Sequence, residues 1–131
     1  MAWENKVMDL TFEAGEALTS DQYRIVILDA TTGKVRRPDA ITDIPLGVLQ
    51  NAPASGEAAV VRPIGCGGVS KVVLAGTLTT GTIIACEYVG AADAGKAQAA
   101  ASTQYPVGVL LSGGDEDELA SALLAPLTVK A

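Results

Sequence analysis

Apolar and polar residues alternate along this chain in short runs separated by stretches rich in glycine, proline, aspartate, asparagine and serine. From Lys6 to Phe12, Val7, Asp9 and Thr11 fall on one side and Met8, Leu10 and Phe12 on the other. Period-two alternation of this kind predicts a strand with one apolar face, led by a short tail that carries Trp3. Tyr23 to Leu28 is apolar or β-branched almost throughout, the signature of a strand buried on both faces. Asp29-Ala30-Thr31-Thr32-Gly33-Lys34 supplies turn chemistry. Val35 then opens a return strand toward Arg37 that Pro38 limits. Pro45 and Gly47 inside the apolar segment Ile44 to Gln50 predict an edge strand, or a bend where two backbones approach closely. Further strands are expected at Ala58 to Arg62, Val69 to Leu74, Thr82 to Val89, Lys96 to Ala100 and Val107 to Leu111. About ten short strands separated by turns define an all-β fold, a small β-barrel or sandwich.

The skeleton is written twice. Ala14-Gly15, Gly33-Lys34 and Pro45-Leu46-Gly47-Val48-Leu49 return as Ala75-Gly76, Gly95-Lys96 and Pro106-Val107-Gly108-Val109-Leu110. Ala14 to Ala75, Gly33 to Gly95 and Pro45 to Pro106 are 61, 62 and 61 residues apart. The organisation expected is an N-terminal arm or first strand over residues 1–12 and one β-domain over 13–131. Within that domain lie two duplicated units, about 14–63 and 75–126, related by a pseudo-two-fold axis and fused into one core. The repeat also bears on the last stretch. Asp115 to Glu118 before Leu119 to Leu124 resembles a charged helix start, but the matching Ala58 to Pro63 reads as a strand. A strand at Ala120 to Leu124 is the expectation.

Composition narrows the function classes. Of 131 residues 49 % are hydrophobic, yet only one is Trp and one Phe, so the core is aliphatic and light. A formal charge of −6 opposes a nucleic-acid surface, which needs cations to neutralise phosphate. The only basic cluster is Lys34, Arg36 and Arg37. Apolar runs are too short for a transmembrane helix, and Met1 to Lys6 lacks a signal-peptide pattern. A soluble protein made in the cytoplasm is expected, with Cys66 and Cys86 reduced and buried.

Reactive side chains are sparse. Histidine is absent, which removes the usual general base, the usual metal ligand and every Ser–His or Cys–His pair. Asp29, Asp39 and Asp43 sit where carboxylates accept backbone N–H bonds in turns. Asp115 to Glu118 lacks the spacing and glycine of an EF-hand loop, and Gly65-Cys66-Gly67-Gly68 lacks what a phosphate loop requires downstream. No catalytic residue, metal site or cofactor is expected. Lys34 and Lys96, each after a hairpin glycine, have the layout of a lipoyl- or biotin-carrying lysine, which gives the alternative of a cofactor-carrying or small-molecule-binding β-domain. The flanking residues of those carrier motifs are missing, and a solvated hairpin lysine accounts for both positions.

The order of signals resembles the capsid cement, or head decoration, proteins of tailed bacteriophages. An extended N-terminus leads to Ala-Gly, an apolar strand, a Gly-Lys hairpin, Pro-x-Gly-Val-Leu and a last strand, covering roughly Phe12 to Val129. The resemblance implies a structural, non-enzymatic virion protein on the capsid exterior. It would bind the major capsid protein, with a trimer as the favoured homo-oligomer and with neither nucleic acid nor membrane as partner. Trp3, Val7, Met8, Leu10 and Phe12 are the candidate capsid contacts, because Trp and Met are enriched at interface cores. Deleting residues 1–10 is then expected to leave a folded protein that no longer decorates shells. Ala97, Ala99, Ala100 and Ala101 are candidates for self-association or for the barrel interior.

Overall fold

The computed structural model describes residues 2–128, and among these there is no helix. Eleven strands follow in order: β1 Asn5–Lys6, β2 Leu10–Glu13, β3 Ile25–Leu28, β4 Val35–Arg36, β5 Pro45–Leu49 and β6 Ala58–Pro63. Then come β7 Gly68–Val73, β8 Ile83–Cys86, β9 Ala97–Ala99, β10 Gly108–Leu110 and β11 Leu119–Leu124. They form two antiparallel sheets, ordered β2-β6-β5-β3-β4 and β1-β7-β11-β10-β8-β9. With β1 set aside, the second order is the first one moved five strands along the chain. Each sheet curls until its ends meet, through parallel bridges Ala14–Val35 and Leu74–Ala97.

Those bridges correct the alignment of the two halves. Gly15 N donates to Val35 O, and the matching donor is Ala75, to Ala97 O. Ala14 therefore corresponds in space to Leu74, one residue before the Ala75-Gly76 that repeats its letters. The Pro-x-Gly strands do correspond. Gly47 lies beside Val26 and Pro63, as Gly108 lies beside Ile84 and Leu124. A Cβ on Gly47 would overlap the carbonyl oxygen of Arg62, and one on Gly108 that of Leu123. Both glycines are fixed by close backbone approach. The strand itself is central, not an edge: β5 pairs with β3 and β6. Pro45, which has no N–H to donate, begins it opposite a register shift at Val26/Ile27.

The run from Lys6 to Phe12 is not one strand. Residues 7–9 pass from the second sheet to the first, so β1 pairs with β7 and β2 with β6. β8 is shorter than expected because the Glu87 carboxylate accepts the Tyr88 and Val89 N–H groups and turns the chain out of the ladder. At 119–124 the sheet overrides helix propensity. β11 pairs with both β7 and β10, placing Ala120, Ala122 and Leu124 inside.

The apolar interior falls into two clusters. One holds Ala14, Leu18, Val26, Val35, Leu49, Ala59 and Val61, with Phe12 and Leu46 packed against it. The other gathers Val72, Leu74, Ile84, Cys86, Ala97, Val107, Leu110, Ala120, Ala122 and Leu124. Ile25 and Val48 of the first sheet also belong to this second cluster. They fasten the two sheets to each other.

Candidate functional site

The N-terminal arm lies docked along the fold, and a buried arginine holds it there. Arg62 is on β6, with its side chain only 5 % exposed. Its guanidinium reaches Glu4 at 2.7 Å and Asp9 at 2.9 Å, and donates to Val69 O at 2.9 Å. Burial works against the charged guanidinium, but Asp9 and Glu4 more than offset it and raise its pKa above the ordinary value. Glu4 also meets Lys71 at 3.6 Å. Farther out, the Trp3 N–H donates to Ser121 Oγ at 2.5 Å, and that hydroxyl donates to Trp3 O at 2.8 Å. Val7 N donates to Gly67 O. Polar contacts hold the arm, while its apolar side chains are turned outward.

The five candidate contact residues are thereby divided. Trp3, Val7, Met8 and Leu10 are exposed, Val7 most of all at 74 %. Phe12 is half-buried against the first core. Residues 1–10 include both carboxylates that neutralise Arg62, so their deletion strips a buried cation of its partners. The expectation that such a truncation folds unchanged does not fit this arrangement.

The hairpin lysines have different surroundings. Lys34 is half-exposed and pairs with Glu13 at 3.0 Å. Lys96, expected in solvent, is buried at 6 % exposure. Its Nζ donates to Asp93 at 2.7 Å and to Asp117 at 2.5 Å. Asp117 and then Asp93 raise the ammonium pKa, and Lys96 in turn holds Asp93 below the usual carboxylate range. An amine enclosed and shared by two carboxylates is poorly placed to carry a prosthetic group.

The basic cluster is likewise neutralised. Arg36 faces Asp29, Asp39 and Asp43, and Arg37 faces Glu16 and Asp21, the last at 2.6 Å. Asp29 accepts N–H bonds from Thr31 and Thr32, which lower its pKa, and Asp43 accepts those of Asp39 and Ala40. These are the turn roles expected for Asp29 and Asp43, whereas the exposed Asp39 carboxylate pairs with Arg36 instead. Among the described residues no three of Cys, Asp and Glu gather as a metal site. Both cysteines are free. Cys66 is exposed, against expectation, because its glycine-flanked turn lies at the surface. Cys86 is buried, and desolvation pushes its thiol up to about 12. Ala97 and Ala100 are interior, whereas Ala99 is exposed.

An outward apolar face on β8, β10 and β11 escapes notice in the sequence. Ile83, Leu119 and Leu123 are 49 %, 40 % and 43 % exposed. Their alternation with Ile84, Ala120, Ala122 and Leu124 was a usable signal, since both faces of these strands are apolar.

No protein-family model matches the sequence, and no curated protein matches it. Among solved structures, the chain is similar to the N base of the head fiber protein gp8.5 of bacteriophage phi29. The TM-score is 0.65 at 16 % identity, over 92 % of this chain and 98 % of that one. The likeness is one of fold.

Proposed function

We propose that this chain is a non-enzymatic structural protein of a phage virion. In this reading it sits on the outer face of the head and strengthens the lattice of the major capsid protein. The observation that carries the reading is the fold shared with a phage head fiber base along nearly the whole of both chains. The order of the Gly-Lys and Pro-x-Gly-Val-Leu signals, which resembles that of head decoration proteins, agrees with it. Trp3, Val7, Met8 and Leu10 form the shell-facing ridge, presented on a docked arm. A pre-ordered arm loses less conformational entropy on contact than a free one, and many copies on one shell act together through avidity.

The test is co-sedimentation of the purified protein with mature shells of the phage that encodes it, followed by electron microscopy. Extra density on the shell exterior is expected. Val7→Glu combined with Met8→Glu leaves the Arg62 cluster intact and is expected to weaken binding roughly 100-fold, from desolvating charge at the contact. A protein that stays in the supernatant with its own shells refutes the function. Undiminished binding by the double variant refutes the ridge.

A further inference from the structure

Ile83, Val109, Leu123 and Val69 stand side by side across β8, β10, β11 and β7. All four point away from the second core. Ile83 and Leu123 are about half exposed, and the two valines are half-buried. The row has a counterpart in the first sheet. Ile25, Val48 and Arg62 hold the same positions around Gly47 that Ile83, Val109 and Leu123 hold around Gly108. There, Ile25 and Val48 are 1 % and 0 % exposed.

What covers Ile25 and Val48 is the second sheet, whereas Arg62 lies under the arm. Ile25 N donates to Gly95 O at 2.7 Å, Val73 N to Tyr23 O at 3.0 Å and Gln50 Nε2 to Ser70 Oγ at 2.9 Å. Arg24 Nη1 reaches Ala92 O at 2.8 Å. The contact is not returned, as a two-fold axis would require. Ile83 and Gly33, the counterparts of Ile25 and Gly95, are both exposed. A Cβ on Gly95 would meet Ile25 O, whereas one on Gly33 would meet nothing within 4 Å. The expected pseudo-two-fold relation is therefore replaced by a head-to-tail one. Head-to-tail contact between like units leaves one covering surface and one covered row unused, and such contacts propagate into rings or filaments.

We propose that a second copy of this chain fills the vacancy. The Gly33 hairpin and adjoining β2 edge of one copy, beside which Leu28 is exposed, cover the Ile83–Val109–Leu123 row of the next. Between molecules this repeats the contact already made between the two sheets. It requires no shell, so it stands or falls apart from the proposed function.

Light scattering on the full chain, from low micromolar to millimolar concentration, is expected to show a mass rising above that of a monomer. Ile83→Lys with Leu123→Lys changes two exposed side chains. Circular dichroism is expected to stay unchanged while association weakens at least roughly 100-fold, because two charges would have to be desolvated. A monomer at every concentration overturns the proposal, and so does association untouched by the lysine pair. Cross-linking decides direction even where the double variant does not fold. In a Cys66→Ser background, chains carrying Thr32→Cys are mixed with chains carrying Ile83→Cys and treated with a short bis-maleimide. A covalent dimer from the mixture alone supports the head-to-tail contact. A dimer from the Ile83→Cys chain by itself, or none from the mixture, overturns it.

Discussion

The two sheets share strand order, a central Pro-x-Gly strand and a hairpin that turns on a positive-φ glycine, Gly33 or Gly95. They differ in what stands outside that frame. Where the second sheet has Leu123 facing solvent, the first has Arg62 buried beneath the docked arm. Where the second has a buried Lys96, the first has a solvated Lys34. Repeated residues thus set the backbone path, and unrepeated ones decide what each unit touches.

The comparison breaks most completely if the shared frame is attacked. Gly108→Ala forces the new Cβ into the Leu123 carbonyl, so β10 and β11 must part at the middle of the second sheet. Overpacking against a backbone that cannot rotate away is expected to cost about 3 kcal/mol or more. Thermal unfolding should show a fall of roughly 10 °C or more. Gly33→Ala is the control, since it meets only the left-handed backbone penalty, about 1 kcal/mol. Equal effects from the two substitutions would refute close approach as the reason for the repeated glycine.

The next effect belongs to the residue that is not shared. Arg62→Ala leaves Glu4 and Asp9 facing each other without their cation and releases the arm. A loss of about 3 kcal/mol is expected, with faster amide exchange confined at first to residues 3–9 and 68–71. Leu123→Ala, at the same position of the second sheet, removes an exposed side chain and should change stability by about 0.5 kcal/mol or less. Denaturant unfolding of the pair, with hydrogen exchange on the first, would sink the argument if the arm stayed protected without Arg62.

Arg62 also marks the limit of what the sequence discloses. Strands and turns were legible because alternation, glycine and proline act locally, and about ten short strands were expected where eleven occur among the described residues. The partners of Arg62 lie 58 and 53 residues away, and no local pattern announces them. The only hint is a lone arginine in the apolar run Ala59-Val60-Val61. The Ala-Gly repeat misled for a related reason. Matching letters can slide by one residue where turn lengths differ, and only the bridges Ala14–Val35 and Leu74–Ala97 fix the register. Of the candidate site, Trp3, Val7, Met8 and Leu10 are exposed as a contact surface requires. Phe12 is not: on β2 it stands opposite the buried Ala59 and packs against the first core, a tertiary contact that alternation alone does not disclose.

The smallest expected difference separates the two lysines. Lys96 is only 8 % exposed in its side chain, although its partners Asp93 and Asp117 are 54 % and 65 % exposed, so solvent screens the pair. Lys96→Met should cost about 1 kcal/mol at pH 7, and Lys34→Met less than about 0.5 kcal/mol. The pH dependence follows from the two shifts. The ammonium of Lys96 is raised in the folded state, so its contribution is complete below its ordinary value of 10.5 and is lost as pH climbs through the folded value. Asp93 is depressed, so its share is complete above 3.8 and vanishes as pH falls through its folded value. The stability difference between the wild type and Lys96→Met should therefore hold level through neutral pH and shrink toward both extremes. Urea titrations from acid to alkaline pH would measure it. If the difference did not narrow at either end, the buried ammonium would owe its place to packing of its alkyl stem, and the contrast between the hairpins would be one of shape, not charge.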